Sequence, residues 1–213
     1  MSVRVKVCGV TRPADAAAAA AAGASAIGLV FWPDSPRVVS FETARSIAAG
    51  LPCDLTLVGV FVDQSPSYVA ATAQSVPLHA IQLHGGERPQ DYEIGLPVLK
   101  AVGVTGPLAL SRIEALPARV LPLLDASDDV RKGGTGRAID WNVAAVAARA
   151  RPIGLAGGLT PANVAEAIRI VHPYMIDVSS GVENAPGIKD ARKMNALLTA
   201  ARQVAGAVPR GLL

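Results

Sequence analysis

Two residues able to move protons close apolar runs in this chain. Cys8 ends the run 3–8 and is followed by Gly9. Asp125 ends the run 119–125, which finishes Leu121-Pro122-Leu123-Leu124-Asp125. A thiol has an ordinary pKa near about 8.5, so a modest shift lets it exchange a proton near neutrality. A free cysteine is also commonly a plain buried residue, and position alone does not choose between the two. A carboxylate closing an apolar strand is costly unless it has a partner or a task. Partial burial would raise its pKa and suit it to act as an acid. Asp177, inside the run 174–178, competes for that role one position further from its strand end. Its plainer reading is a hydrogen-bonded structural carboxylate.

Other residues could hold an anion. Gly157-Gly158 follows the run 152–156, and Ser179-Ser180-Gly181 follows 174–178. Consecutive Gly and Ser at a strand end let backbone N–H groups approach a ligand closely. Two such turns side by side would cradle a phosphate; either alone reads as an ordinary strand-to-helix turn. The stretch Lys132-Gly133-Gly134-Thr135-Gly136-Arg137 could close over an anion, with Gly134 offering its backbone, or could be a surface turn. In Pro33-Asp34-Ser35-Pro36-Arg37 two prolines stiffen the loop, and a held guanidinium suits a carboxylate. A solvated loop arginine is the alternative. His84, after 79–83, could bind an anion, orient a neighbour or be a satisfied structural histidine.

These residues share a place because of the elements that carry them. Apolar runs at 3–8, 26–31, 55–61, 79–83, 98–102, 119–125, 152–156 and 174–178 read as strands. Helical stretches at 12–22, 41–49, 66–74, 89–94, 108–116, 141–149, 161–170 and roughly 189–205 alternate with them. Thr11 and Pro13 open the first helix, Gly23 stops it, and Ser40 is the N-cap of the second. Strands alternating with helices indicate a parallel sheet under helices. Eight such units of similar length indicate an α/β fold closed as a (β/α)8 TIM barrel, with a doubly wound open sheet as runner-up. In a barrel, chemistry sits at the C-terminal ends of the strands, where all of these residues fall. Cys53 precedes the third strand, at the opposite end, and is read as structural. The 213 residues form one domain, 1–213, with those after about 206 expected to fray.

Composition excludes several functions. Charged residues are 17% and hydrophobic ones 51%, so the chain is not disordered. Aromatics are only 4%, too few for a base-stacking platform, and a net charge of +3 is no DNA-binding face. The two cysteines form no metal-type pair or disulfide framework. The alanine-rich stretch 14–31 contains Asp15 and is broken by Gly23, so it reads as a helix and a strand, not a membrane span. The start has no signal-peptide h-region, which points to the cytoplasm.

The motifs together resemble a known family. Lys6-Val7-Cys8-Gly9-Val10-Thr11, Ser35-Pro36-Arg37, Gln82-Leu83-His84-Gly85, Leu124-Asp125, Gly133-Gly134-Thr135-Gly136, Gly157-Gly158-Leu159 and Asp177-Val178-Ser179-Ser180-Gly181-Val182-Glu183 occur in that order. Over about 3–200 the chain closely resembles the phosphoribosylanthranilate isomerases of tryptophan biosynthesis. The resemblance implies a (β/α)8 barrel and an Amadori rearrangement of a phosphorylated small-molecule substrate. It implies no cofactor, no metal, no nucleic acid or membrane and no obligatory protein partner. By resemblance Asp125 is the general acid and Cys8 the general base. Gly134, Gly157, Gly158, Ser179, Ser180 and Gly181 map onto the phosphate cradle, and Arg37 onto the anthranilate carboxylate. His84 and Asp177 fall among the substrate-binding positions. The nearest rival is another phosphosugar isomerase, of the histidine-pathway or dual-substrate kind. That family pairs two aspartates, so Cys8 argues against it. A non-catalytic phosphate binder is the rival from another class.

Overall fold

A computed structural model describes residues 3–104, 108–126 and 139–205. The loop carrying Gly134 and the tail expected to fray lie outside the described residues. Eight parallel strands close into a barrel. They are β1 (Arg4–Cys8), β2 (Ala26–Val30), β3 (Thr56–Phe61), β4 (Ala80–Leu83), β5 (Val98–Gly103), β6 (Val120–Asp125), β7 (Gly154–Leu155) and β8 (Met175–Val178). Among the described residues seven helices surround them: α1 (Pro13–Ala21), α2 (Phe41–Ala49), α3 (Pro66–Ser75), α4 (Leu108–Glu114), α5 (Trp141–Ala150), α6 (Val164–Val171) and α7 (Ala191–Ala205).

The strands are apolar on both faces because both are covered. Outward residues such as Ile27, Leu57 and Ile81 meet the helices. Inward ones such as Ala26, Val58, Ala80, Leu99, Leu123 and Met175 fill the barrel floor. Side chains alternate along a strand, so the next inward layer toward the C-terminal end is fixed by counting in twos: Gly28 from Ala26, Gln82 from Ala80, Asp125 from Leu123, Asp177 from Met175. This layer is polar and forms the bottom of the site. Register brings Lys6 of β1 beside Asp177 of β8 and Asp125 of β6 beside Gly103 of β5.

Local signals explain most boundaries. Ser40 caps α2 by accepting from Thr43 N at 3.1 Å. The run of alanines in α1 buries Ala16 and Ala19 against the sheet, and Gly23 follows at φ +88°, a left-handed turn that ends the helix. No described helix is long and apolar enough to cross a membrane.

Four expectations need correction. The helix expected over 89–94 is one 3-10 turn, Pro89–Asp91; it is too short to build intrahelical bonds beyond the turn that Pro89 starts. Thr11 does not cap α1: Arg12 occupies that position without a side-chain bond, and the Thr11 hydroxyl donates to Gly187 O at 2.6 Å. The helix expected from 161 begins at Val164. The Asn163 side chain accepts from Thr160 N and donates to Gly158 O, holding 158–163 as a loop. After β8 the chain makes a 3-10 turn, Ser180–Val182, and a small hairpin, β9 (Glu183–Ala185) with β10 (Ile188–Lys189), before α7. No alternation in so short a stretch announces that hairpin.

Candidate active site

A cavity of about 390 Å3 opens at the C-terminal end of the barrel. Its lining includes Cys8, Arg37, His84, Asp125, Gly157, Gly158, Asp177, Ser179, Ser180 and Gly181, every described residue expected at the site, together with Gln82. A larger apolar groove lies at the opposite end, beside Val98, Leu121 and Tyr174. Its two arginines are engaged elsewhere, Arg151 on five backbone carbonyls and Arg119 on Glu93. Among the described residues, proton-transfer groups and glycine-rich turns converge at the first.

Lys6 and Cys8 share the inward face of β1, two residues apart. Lys6 is completely buried, and its Nζ donates to Asp177 Oδ1 at 2.9 Å. Nζ and the Cys8 sulfur both lie over Gly28; a methyl group there would stand 2.8 Å from Sγ and 3.1 Å from Nζ. Burial pulls the Lys6 ammonium pKa down, but Asp177 and Cys8 more than restore it, so it lies above its usual value. Burial, reinforced by the Asp177 carboxylate, raises the Cys8 thiol; Lys6 opposes that rise without cancelling it. Cys53, by contrast, is exposed.

Asp125 faces the same space from β6. Its Oδ1 accepts from Ala126 N at 2.7 Å, and Oδ2 lies 3.3 Å from His84 Nε2. That contact has ion-pair length but is not an aligned hydrogen bond. Burial alone would raise the Asp125 pKa, as the sequence suggested. His84, the Ala126 N–H and Lys6 together outweigh it, so the carboxyl lies below its usual range. The expectation of a raised acid is thus corrected: the site is buried, yet richer in donors than an apolar strand end implies.

His84 is itself held. Gln82 Nε2 lies 3.0 Å from His84 Nδ1. With a carboxylate facing Nε2, the proton belongs on Nε2, and Nδ1 accepts from the Gln82 amide. Of the sequence alternatives for His84, the geometry matches the one that orients a neighbour. Gln82 Oε1 is buried with no partner among the described residues, an acceptor on the cavity wall.

The loops after β7 and β8 form the opposite wall. Gly157 and Gly158 take φ of +83° and +63°, which glycine adopts without strain. At Gly181 the second loop packs backbone against backbone on the first: an added Cβ would overlap the Leu159 carbonyl oxygen and stand 3.3 Å from Thr160 Cα. Arg37 reaches the mouth, and its guanidinium is held by an ion pair. Its Nε and Nη2 donate to the two oxygens of Glu183 at 2.9 and 2.7 Å. Glu183 also accepts from Lys189 Nζ at 2.6 Å.

Sequence reasoning quoted Lys6, Gln82 and Glu183 within motifs but gave them no task. Lys6 and Gln82 were findable, since each stands two residues before a candidate on the same strand face. Glu183 and Lys189 were not, because the hairpin that joins them was not foreseen.

A family model for N-(5'phosphoribosyl)anthranilate (PRA) isomerase matches residues 5–200. An N-(5'-phosphoribosyl)anthranilate isomerase from Myxococcus xanthus is 46% identical over 208 residues, covering 96% of this chain and 98% of that protein. The crystal structure of the phosphoribosyl anthranilate isomerase from Thermotoga maritima superposes with a TM-score of 0.87 at 38% identity, over 94% of this chain and 99% of the other. A phosphoribosyl anthranilate isomerase in complex with reduced 1-(o-carboxyphenylamino)-1-deoxyribulose 5-phosphate matches at a TM-score of 0.84 and 37% identity, over 94% and 99%. Likeness that runs from β1 into α7, in sequence and in barrel geometry alike, makes this chain a member of the N-(5'-phosphoribosyl)anthranilate isomerase family.

Proposed function

We propose that this isomerase of tryptophan biosynthesis converts N-(5'-phosphoribosyl)anthranilate into 1-(2-carboxyphenylamino)-1-deoxyribulose 5-phosphate, with Asp125 as general acid and Cys8 as general base. The observation that carries the reading is one cavity holding a thiol and a carboxyl on β1 and β6, between two glycine- and serine-rich turns and an arginine. Its volume falls in the usual range for small-molecule sites, roughly 300–1,000 Å3.

In this reading the phosphate lies on the backbone of Gly157, Gly158, Ser179, Ser180 and Gly181, and the family resemblance adds Gly134 to the same cradle. Arg37 takes the aryl carboxylate. Asp125 gives its proton to the ribose ring oxygen, the C1'–O bond breaks, and nitrogen's lone pair forms the C1'=N bond of a Schiff base. Cys8, as thiolate, removes the C2' proton; the electrons of that C–H bond form the C1'=C2' double bond as the C1'=N π pair returns to nitrogen. The enolamine takes a proton at C1' while its C2' hydroxyl gives one up, and the product is the ketone. C1' is reduced as C2' is oxidised, so the redox change is internal and the scheme calls on no cofactor or metal. Asp177 serves through Lys6, and His84 through Asp125. We read the whole chain as one domain and place the reaction in the cytoplasm.

The test is direct. N-(5'-phosphoribosyl)anthranilate made in situ is followed by its anthranilate-type fluorescence as protein is added. The expected result is a fast, protein-dependent change that Asp125→Asn lacks. No change with folded protein would refute the assignment.

A further inference from the structure

The buried hub of the cavity mouth is Glu183, at the start of the hairpin after β8. Its side chain is 4% exposed, and it collects two cations from separate elements. Arg37, from the loop after β2, gives it Nε and Nη2. Lys189, from β10, gives it Nζ, and Gly187 N adds a fourth bond at 3.2 Å. Lys189 Nζ also lies 3.3 Å from both the carbonyl and the hydroxyl oxygen of Ser179, where the phosphate loop begins.

This grip decides what Arg37 can do. A guanidinium has five N–H donors in a rigid fork. Two are engaged by Glu183, and the rest belong to a side chain that lines the cavity. The stem of Arg37 crosses directly over Gly9; a Cβ there would collide with Arg37 Cδ and stand 3.1 Å from Ser179 Oγ. The guanidinium is therefore fixed at both ends, between the thiol loop and the phosphate loop. An unheld arginine would lose rotamer freedom on meeting a ligand; here that ordering is done in advance. One carboxylate against two cations leaves a single net positive charge, suited to one further anionic group.

We propose that Glu183 is a positioning residue: by gripping Arg37 it aims the free edge of the guanidinium at the substrate's aryl carboxylate, and so sets a preference for a carboxylated arylamine over an uncharged one. The proposal rests on the substrate reading above. Glu183 touches no reacting atom and works only through Arg37.

The test compares two ligands, reduced 1-(o-carboxyphenylamino)-1-deoxyribulose 5-phosphate and its counterpart without the ring carboxylate. Dissociation constants are measured on the wild type, Glu183→Gln and Glu183→Asp. Wild type should prefer the carboxylated ligand at least tenfold. Glu183→Gln should lose about tenfold for that ligand and under threefold for the other, with KM rising more than kcat falls. Glu183→Asp keeps the charge but shortens the reach, and gives a smaller loss of the same selectivity even if the glutamine variant fails to fold. Adding Glu183→Gln to Arg37→Ala should cost nothing further for the carboxylated ligand. Equal losses for both ligands would show Glu183 propping the phosphate loop through Lys189 and would overturn the proposal. So would unchanged binding, or a wild type that turns over substrate without discriminating. A wild type that turns over no N-(5'-phosphoribosyl)anthranilate would refute the substrate reading instead.

Discussion

Replacing Lys6 by Met should disarm the Cys8 thiol. The ammonium sits over Gly28 beside the sulfur and 2.9 Å from Asp177. At an effective dielectric of about 20, unit charges about 4 Å apart interact by about 4 kcal/mol. With about 1.4 kcal/mol per pKa unit, removing the ammonium has a ceiling of about three units on the thiol, already raised by burial and by Asp177. Relaxation trims this, so one to two units upward is the expectation, and the thiolate at neutral pH falls about 10- to 100-fold. If Cys8 is the base, kcat falls with it. Breaking the pair also strands Asp177, at about 3–5 kcal/mol, a large part of the roughly 5–15 kcal/mol that holds a domain folded. Lys6→Met with Asp177→Asn removes both charges, should recover most of that stability, and should leave the thiol between wild type and the single variant. The assay is the pH dependence of iodoacetamide alkylation, run on Cys53→Ala because Cys53 is exposed, beside urea unfolding. Alkylation profiles that superimpose with and without Lys6, in variants that remain folded, would refute the claim that its charge reaches the sulfur.

Other expectations follow from single contacts. Cys8→Ser should lower kcat at least about 10²-fold while substrate still binds, since a hydroxyl is a far poorer base; near-normal turnover would return Cys8 to a structural role. Gly181→Ala must push the loops after β7 and β8 apart, because its Cβ would overlap the Leu159 carbonyl. Losing one or two charge-assisted bonds at about 1.5–3 kcal/mol each should weaken product binding at least tenfold by titration, and an unchanged Kd would remove this loop from the phosphate site. Arg151→Ala removes donors to the carbonyls of Ile113, Leu116, Pro117, Ala118 and Val120. It should cost about 2–3 kcal/mol in urea unfolding with kcat unchanged; altered kcat would link the barrel floor to the site. Between about pH 5 and 8 the activity should be nearly flat apart from the substrate's own ionisations, and a steep titration of an enzyme group inside that window would contradict the shifts at Cys8 and Asp125.

How much of this was legible in the sequence depended on distance along the chain. The strands were legible because a parallel strand covered on both faces must be apolar throughout, as Ala26–Val30 and Thr56–Phe61 are. The site was legible because a closed barrel gathers all its strand ends at one rim, so Cys8 and Asp125 needed no contact information to be brought together. What was hidden depends on side chains meeting across the rim. The grip of Glu183 on Arg37 spans 146 positions, and nothing local to either residue announces it. Asp125 was misjudged for the same reason. Its own strand is apolar and argues for a raised pKa, while what lowers it is His84 just after β4, its own following amide and the Lys6 charge on β1.

That misjudgement bears on the mechanism. The proposed roles need a protonated Asp125 and an ionised Cys8, whereas the shifts of the two groups favour the reverse, a carboxylate and a thiol. The two arrangements contain the same number of protons and differ by one transfer between the groups. Their ratio is therefore independent of pH between the two pKa values, and activity falls only below the lower and above the higher. With ordinary values near 3.9 and 8.5 the productive arrangement is a fraction of about 10⁻⁴ to 10⁻⁵, and the shifts make it smaller. Bound substrate must supply the difference, about 6 kcal/mol or more. Its phosphate and aryl carboxylate bring two or more negative charges into a cavity that Arg37 lines, more than the single positive charge left over by Arg37 and Lys189 on Glu183. Added negative charge disfavours the Asp125 carboxylate and raises its pKa. It disfavours the thiolate as well, so the gain requires that Arg37 and Lys189, both of which stabilise the thiolate electrostatically, shield Cys8 more than Asp125. The pairing of Arg37 and Lys189 on one buried carboxylate, near the thiol and across from β6, is the asymmetry such a switch needs.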